Sequence, residues 1–109
     1  MSLIQCLWRV SRPPDVVIGY DEFDSFVCVA ATASVARRLH PRGEEMMAWV
    51  EADCSWHPVL DGIVDEESWE YHSWTTDIDS LEVVWLGQAG DGALRIVRGG
   101  VILSSFNAG

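Results

Sequence analysis

The sequence predicts an α+β fold: a small, mostly antiparallel sheet, in the order β-β-α-β-β along the chain, with one or more short helices on one face. Three observations lead there. Short apolar runs rich in β-branched and aromatic residues occupy the two ends of the chain. A Thr-capped segment stopped by proline lies between them. The 109 residues support a single modest core. The expected organisation is one domain over 1–109, with an acidic, tryptophan-rich insert at about 43–80.

The first strand candidate is Leu3 to Val10, closed by Ser11-Arg12-Pro13-Pro14, because a proline pair cannot continue a central strand. Gly19 to Ser25 reads as a turn-rich link. Phe26 to Ala31 is apolar enough for a buried strand. Thr32 then caps a helix from Ala33 to about His40, halted by Pro41. Val35, Ala36 and Leu39 form its expected buried face, with Arg37 and Arg38 outward. A third strand runs from Leu81 to Leu86, with Val83 and Trp85 on one face and Glu82 and Val84 on the other. Val101 to Phe106 forms the fourth, after Gly99-Gly100.

Charge narrows the function classes. Seventeen acidic residues stand against seven arginines and no lysine, giving a net charge of −10. Without lysine there is neither a Schiff-base nucleophile nor a P-loop grip on phosphate. So acidic a chain is a poor direct ligand for nucleic acid, which is bound by cations that displace counterions. The sequence holds no apolar run long enough to span a bilayer. Met1-Ser2-Leu3-Ile4 lacks a signal peptide's basic start, and three scattered cysteines fit reduced thiols. The expected setting is the cytoplasm of a host bacterial cell.

The acids are unevenly placed. From Glu44 to Asp91 there are 13 of them and no arginine, together with five of the six tryptophans. Glu44 to Glu51 and Asp65 to Tyr71 read as short helices, the second capped by Asp65, and the rest as ordered loop. Carboxylates around tryptophan anchors suit a partner's basic surface, since tryptophan is a favoured hot-spot residue and charge steers association. The candidate carboxylates are Glu44, Glu45, Glu51 and Asp53, then Asp65, Glu66, Glu67 and Glu70, then Asp77 and Asp79. Trp56, Trp69 and Trp74 are the candidate anchors. The plainer alternative is that the tryptophans fill the core and the acids keep the protein soluble.

Other constellations are thinner. Cys54-x-x-His57 is half of a zinc site that His72 and His40 would have to complete. Asp15, Asp21, Glu22 and Asp24 cluster without the spacing of a calcium loop and suit turn capping better. Arg37, Arg38, His40 and Arg42 form a basic cluster suited to neutralising acids within the chain or to a helix C-terminus. Ser25 and Ser104-Ser105 lack a nucleophile-elbow context.

Several segments carry a resemblance: Gly19 to Ser25 (Gly-Tyr-Asp-Glu-Phe-Asp-Ser), Ala36 to Pro41, Trp74-Thr75-Thr76, Leu81 to Ala89, and the ending Gly100 to Gly109. Together they resemble a family of small proteins encoded in tailed-phage genomes and prophages. That family shows a Gly-Tyr-Asp-x-aromatic-Asp-Ser stretch, a Leu/Ile-His-Pro helix end and a terminal Ser-Phe/Tyr-Asn-Ala-Gly. The match covers both ends of the chain, and the acidic middle is longer than the family pattern. The resemblance implies a mobile genetic element as the context and names no activity.

The expected function is that of a non-enzymatic phage accessory protein that binds another protein. Its most concrete form is an anti-CRISPR or other counter-defence inhibitor, whose acidic surface blocks a nucleic-acid-binding groove on a host complex. No cofactor, no direct nucleic-acid contact and no membrane are expected. The alternatives are a small zinc-binding domain or enzyme using Cys54, His57 and His72, and a structural protein that self-associates as a homodimer through exposed tryptophans.

Overall fold

Trp8, Val10, Phe26 and Cys28 recur with the period of two that turns alternate side chains to one face of a sheet. That pattern pairs β1 (Cys6–Ser11) with β2 (Glu22–Ala30), antiparallel, with Trp8 opposite Cys28 and Val10 opposite Phe26. The computed structural model describes residues 5–15, 18, 22–68, 74–90 and 100–107. Among them β6 (Glu82–Gln88) joins the free side of β1 and β7 (Val101–Asn107) the free side of β2, giving a four-stranded antiparallel sheet in the order β6-β1-β2-β7. A second, three-stranded antiparallel sheet is built from β3 (Met47–Val50), β4 (Ser55–Leu60) and β5 (Ile63–Val64).

The core lies on the inner face of the larger sheet. Val10, Phe26 and Cys28 meet Ala36 and Leu39 from the helical side, Met47 and Trp56 from the smaller sheet, and Trp74, Ile78 and Leu81 from the segment before β6. Trp56 is fully buried, edge-on to His40 at 5.1 Å and to Trp49 at 4.9 Å. Its indole N–H donates to the Thr75 carbonyl at 2.9 Å, so the large ring is buried with its polar atom satisfied. Trp8 does the same with the Ala30 carbonyl at 2.9 Å.

The helix α1 (Ala33–Arg37) starts where expected, with the Thr32 hydroxyl accepting from the Val35 N–H at 3.2 Å. It ends three residues before His40, because His40 precedes Pro41 and a residue in that position disfavours helical backbone. Arg37 does not point outward as expected. Its guanidinium donates to the carbonyls of Ile78 at 3.0 Å and Leu81 at 2.6 Å, pinning a 3-10 turn (Ile78–Ser80) against α1. Val35, expected in the buried face, is exposed.

The architecture is mostly β, with one short helix, and the order β-β-α-β-β is corrected by three extra strands in the middle of the chain. Glu44 to Glu51 is not a helix, since Met47–Val50 forms β3. Asp65 to Ser68 is not helical either, and the rest of that expected helix lies outside the described residues. The link ending at Ser25 is strand from Glu22 onward, and Leu3 and Ile4 lie outside the described residues. Val83 packs on the core as expected, but Trp85 is 59% exposed. Its strand is at the sheet edge, and the pairing with β1 shifts register beside it.

Candidate functional site

The smaller sheet is made by two tight turns. Leu60-Asp61-Gly62-Ile63 closes β4 on β5 with positive φ at both central residues, 52° and 76°, the backbone of a two-residue hairpin turn whose twist matches its strands. Asp-Gly is the pairing of residue types that this backbone tolerates best. Glu51 to Cys54 closes β3 on β4, with Cys54 in the left-handed region at φ 49°.

The registers place an apolar row across the outer face. Val59 pairs with Val64, and the Val59 N–H donates to the Met46 carbonyl at 3.0 Å, so Met46, Val59 and Val64 lie side by side. At the hairpin tip the next pair, Leu60 and Ile63, is exposed on the alternate face, with Leu60 still lining a cavity beside Met46 and Val59. Shallow cavities open on both sides of Met46 and Val59. One, of about 420 Å3, is lined by Pro58, Leu60, Asp65 and Glu67. The other, of about 600 Å3, is lined by Glu44, Glu45, Asp61 and Gly62.

Carboxylates ring this patch: Glu44 and Glu45 before it, Asp61 at the turn, and Asp65, Glu66 and Glu67 after it. Asp65 is partly occupied, its Oδ1 accepting from the Glu67 N–H at 3.0 Å. No cation pairs with Glu44, Glu45, Asp61, Glu66 or Glu67 among the described residues. An apolar centre beside carboxylates that pair with no cation among the described residues is arranged to meet a surface that is apolar in the middle and basic around it.

The smaller sheet is anchored at a buried histidine. Nε2 of His57 contacts Asp53 Oδ2 at 2.8 Å and Nδ1 contacts the Asp65 carbonyl at 2.7 Å. One ring thereby holds the β3–β4 turn and the start of the rim segment.

The structure thus brings Glu44, Glu45, Asp65 and Glu67 to the cavities beside Met46 and Val59, leaves Glu66 exposed without placing it in either, and separates the other expected residues from them. Glu51 is paired with Arg38, whose guanidinium holds its carboxyl below the usual carboxylate range. Asp53 is engaged by His57. Asp77 precedes the 3-10 turn and Asp79 lies within it, beside Arg37. Trp56 and Trp74 are corrected as anchors: both are core residues, because the smaller sheet turns Trp56 inward and Phe26 packs edge-on against Trp74 at 5.4 Å. Trp69 and Glu70 lie outside the described residues. Asp61, Met46, Leu60, Ile63 and Val64 were not among the expected site residues, although the Asp61-Gly62 pair between Val59-Leu60 and Ile63-Val64 is a hairpin signal in plain view.

The zinc half-site does not assemble from Cys54 and His57. Both His57 nitrogens are already engaged by oxygen atoms of Asp53 and Asp65, and Cys54 Sγ lies 3.4 Å from the Glu51 carbonyl. His72 lies outside the described residues, as does Asp21. Among the described residues no three His, Cys, Asp or Glu converge as metal ligands, and no helix is long and apolar enough to cross a membrane. Comparison with known proteins gives no matching family model, no matching curated protein and no matching solved structure.

Proposed function

We propose that the protein works by binding a partner protein, through the acid-rimmed apolar face of its smaller sheet. One observation carries this reading: Glu44, Glu45, Asp61 and Glu67, which pair with no cation among the described residues, lie beside the row formed by exposed Met46 and Val64 and half-buried Val59. The partner is basic at the rim of its own site. In the phage setting that the sequence resemblance implies, it is a host nucleic-acid-handling defence protein, whose groove is occupied by carboxylates in place of phosphates. Competition with nucleic acid for that groove would make the protein a counter-defence inhibitor without any enzymatic step.

The test is capture from host lysate with the wild-type chain, a Glu66→Gln/Glu67→Gln variant and a Leu60→Ser variant, at low and high salt. The proposal expects one stoichiometric basic partner, lost at high salt, weakened by the charge variant and released by added nucleic acid. A partner retained equally by all three chains contradicts it.

A second reading rests on a separate observation. Val84, Trp85 and Leu86 are all exposed on the edge strand β6, a geometry that invites pairing with another strand edge. Self-association through that edge would make Trp85 the buried contact of a homodimer. Light scattering of wild type and Trp85→Ser decides it, since a monomer at high concentration ends the reading.

A further inference from the structure

A smaller, differently built pocket of about 290 Å3 opens at one end of the larger sheet. Three strands meet there: Cys6 at the start of β1 pairs with Ala30 at the finish of β2, and β7 begins at Val101 opposite Cys28. Val29, Ala30 and Leu39 are buried and give the pocket an apolar floor. Gly100 lets β7 start close against that floor. Its φ is +78°, and a Cβ there would stand 3.3 Å from Leu39 Cδ1. Gln5 is fixed at the rim by its carbonyl, which accepts from the Ala89 N–H at 2.8 Å.

Val35 of α1 forms the wall. It stands beside Val29 and Leu39 but faces the open pocket, so it is 47% exposed while its neighbour Ala36 is fully buried. Glu44 lies at the mouth and is the single charged residue of the lining among the described residues. It is exposed and pairs with no cation among them. Glu44 also lines the cavity beside Met46, so the pocket is continuous with the acid-rimmed patch.

We infer that this pocket takes a lysine side chain of the partner protein, with its stem along Val29, Val35 and Leu39 and its ammonium group at Glu44. Apolar walls suit an alkyl stem, and one carboxylate without a cation suits a single positive charge at the end of that stem. An anionic ligand meets no cation in the lining and is opposed by the net charge of −10. A purely apolar side chain leaves the carboxylate without a partner. The compact ammonium of lysine fits better than a guanidinium group, whose five donors would face one carboxylate. Only the source of the lysine rests on the reading of the patch as a partner surface; the chemistry of the pocket follows from its own lining.

The experiment is a backbone-amide NMR titration of the full chain with N-acetyl-lysine methylamide, with N-acetyl-norleucine methylamide and butylammonium as controls. The expected result is saturable shifts at Ala31, Val35, Glu44 and Gly100 at millimolar concentrations of the lysine probe. Its affinity should fall about threefold to fivefold in Glu44→Gln, to that of the norleucine probe, and Val35→Ser should weaken both probes. Both side chains are exposed, and unperturbed core amides verify that the variants keep the fold. The norleucine probe binding as tightly as the lysine probe would overturn the cation assignment. Butylammonium binding more tightly than the lysine probe would overturn the protein-borne source, and absence of shifts with every probe would overturn the pocket. No partner is present in the titration, so its failure leaves the acid-rimmed patch to its own capture experiment.

Discussion

Nε2 of His57 lies 2.8 Å from Asp53 Oδ2, while the other nitrogen of the same buried ring lies 2.7 Å from the main-chain oxygen of Asp65. Both partners are oxygen atoms, so the ring is engaged at each end. The two contacts tie the β3–β4 turn and the acidic rim to β4, which makes His57 the positioning residue of the patch. Removing it leaves a cavity and frees two acceptors. His57→Ala is expected to cost roughly 2–4 kcal/mol in urea unfolding, and Asp53→Ala, at the exposed end of the pair, less than about 1 kcal/mol.

The tryptophans should divide by role. Trp56→Ala removes a fully buried ring and is expected to cost about 3–5 kcal/mol of stability. Trp85→Ala should change stability by less than about 1 kcal/mol, since that ring is 59% exposed. Acrylamide quenching of single-tryptophan variants checks the same division, with Trp85 accessible and Trp56 protected.

Gly62 has φ +76°, and a Cβ placed there meets nothing within 4 Å. The cost of Gly62→Ala is therefore conformational rather than steric, about 1 kcal/mol. Gly62→Asn should cost less, because asparagine tolerates left-handed backbone better. Urea midpoints of the two variants give the order; equal or reversed costs would contradict the turn geometry.

The cysteines should differ sharply toward alkylating reagents. Cys54 is exposed and Cys28 buried, and burial pushes the Cys28 thiol up to about 12 from an unperturbed 9.0. The folded chain then keeps a proton that the unfolded chain releases above pH 9.0, so this contribution to stability is complete below pH 9.0 and declines as pH rises toward about 12. Native labelling should mark Cys54 and spare Cys28. Cys28→Ala should flatten the alkaline fall in urea midpoint, and an unchanged slope would show that the thiol is not its source.

Much of the larger sheet is legible in the sequence because its strands are apolar runs bounded by strong punctuation, Pro13-Pro14 after β1 and Gly100 before β7. The smaller sheet is not legible in the same way. Met46, Met47, Trp49 and Val50 fit a helical stripe as well as a strand, and only pairing with Trp56 and Pro58 selects the strand. Charge singled out Glu44, Glu45 and Asp65 to Glu67 along with the rest of the acidic segment. It could not show that Glu51 and Asp53 are engaged by Arg38 and His57, since those partnerships depend on tertiary contacts. Composition likewise marked the tryptophans without showing which way Trp56 and Trp74 face.

The most direct test of the acid-rimmed patch as the partner surface is amide hydrogen exchange of the free and partner-bound protein. Protection gained at Glu44 to Met46 and Val59 to Glu67, with the amides of β1 and β2 unchanged, is the expected result. Protection confined to the β6 edge around Trp85, with the patch exchanging as in the free chain, would contradict it.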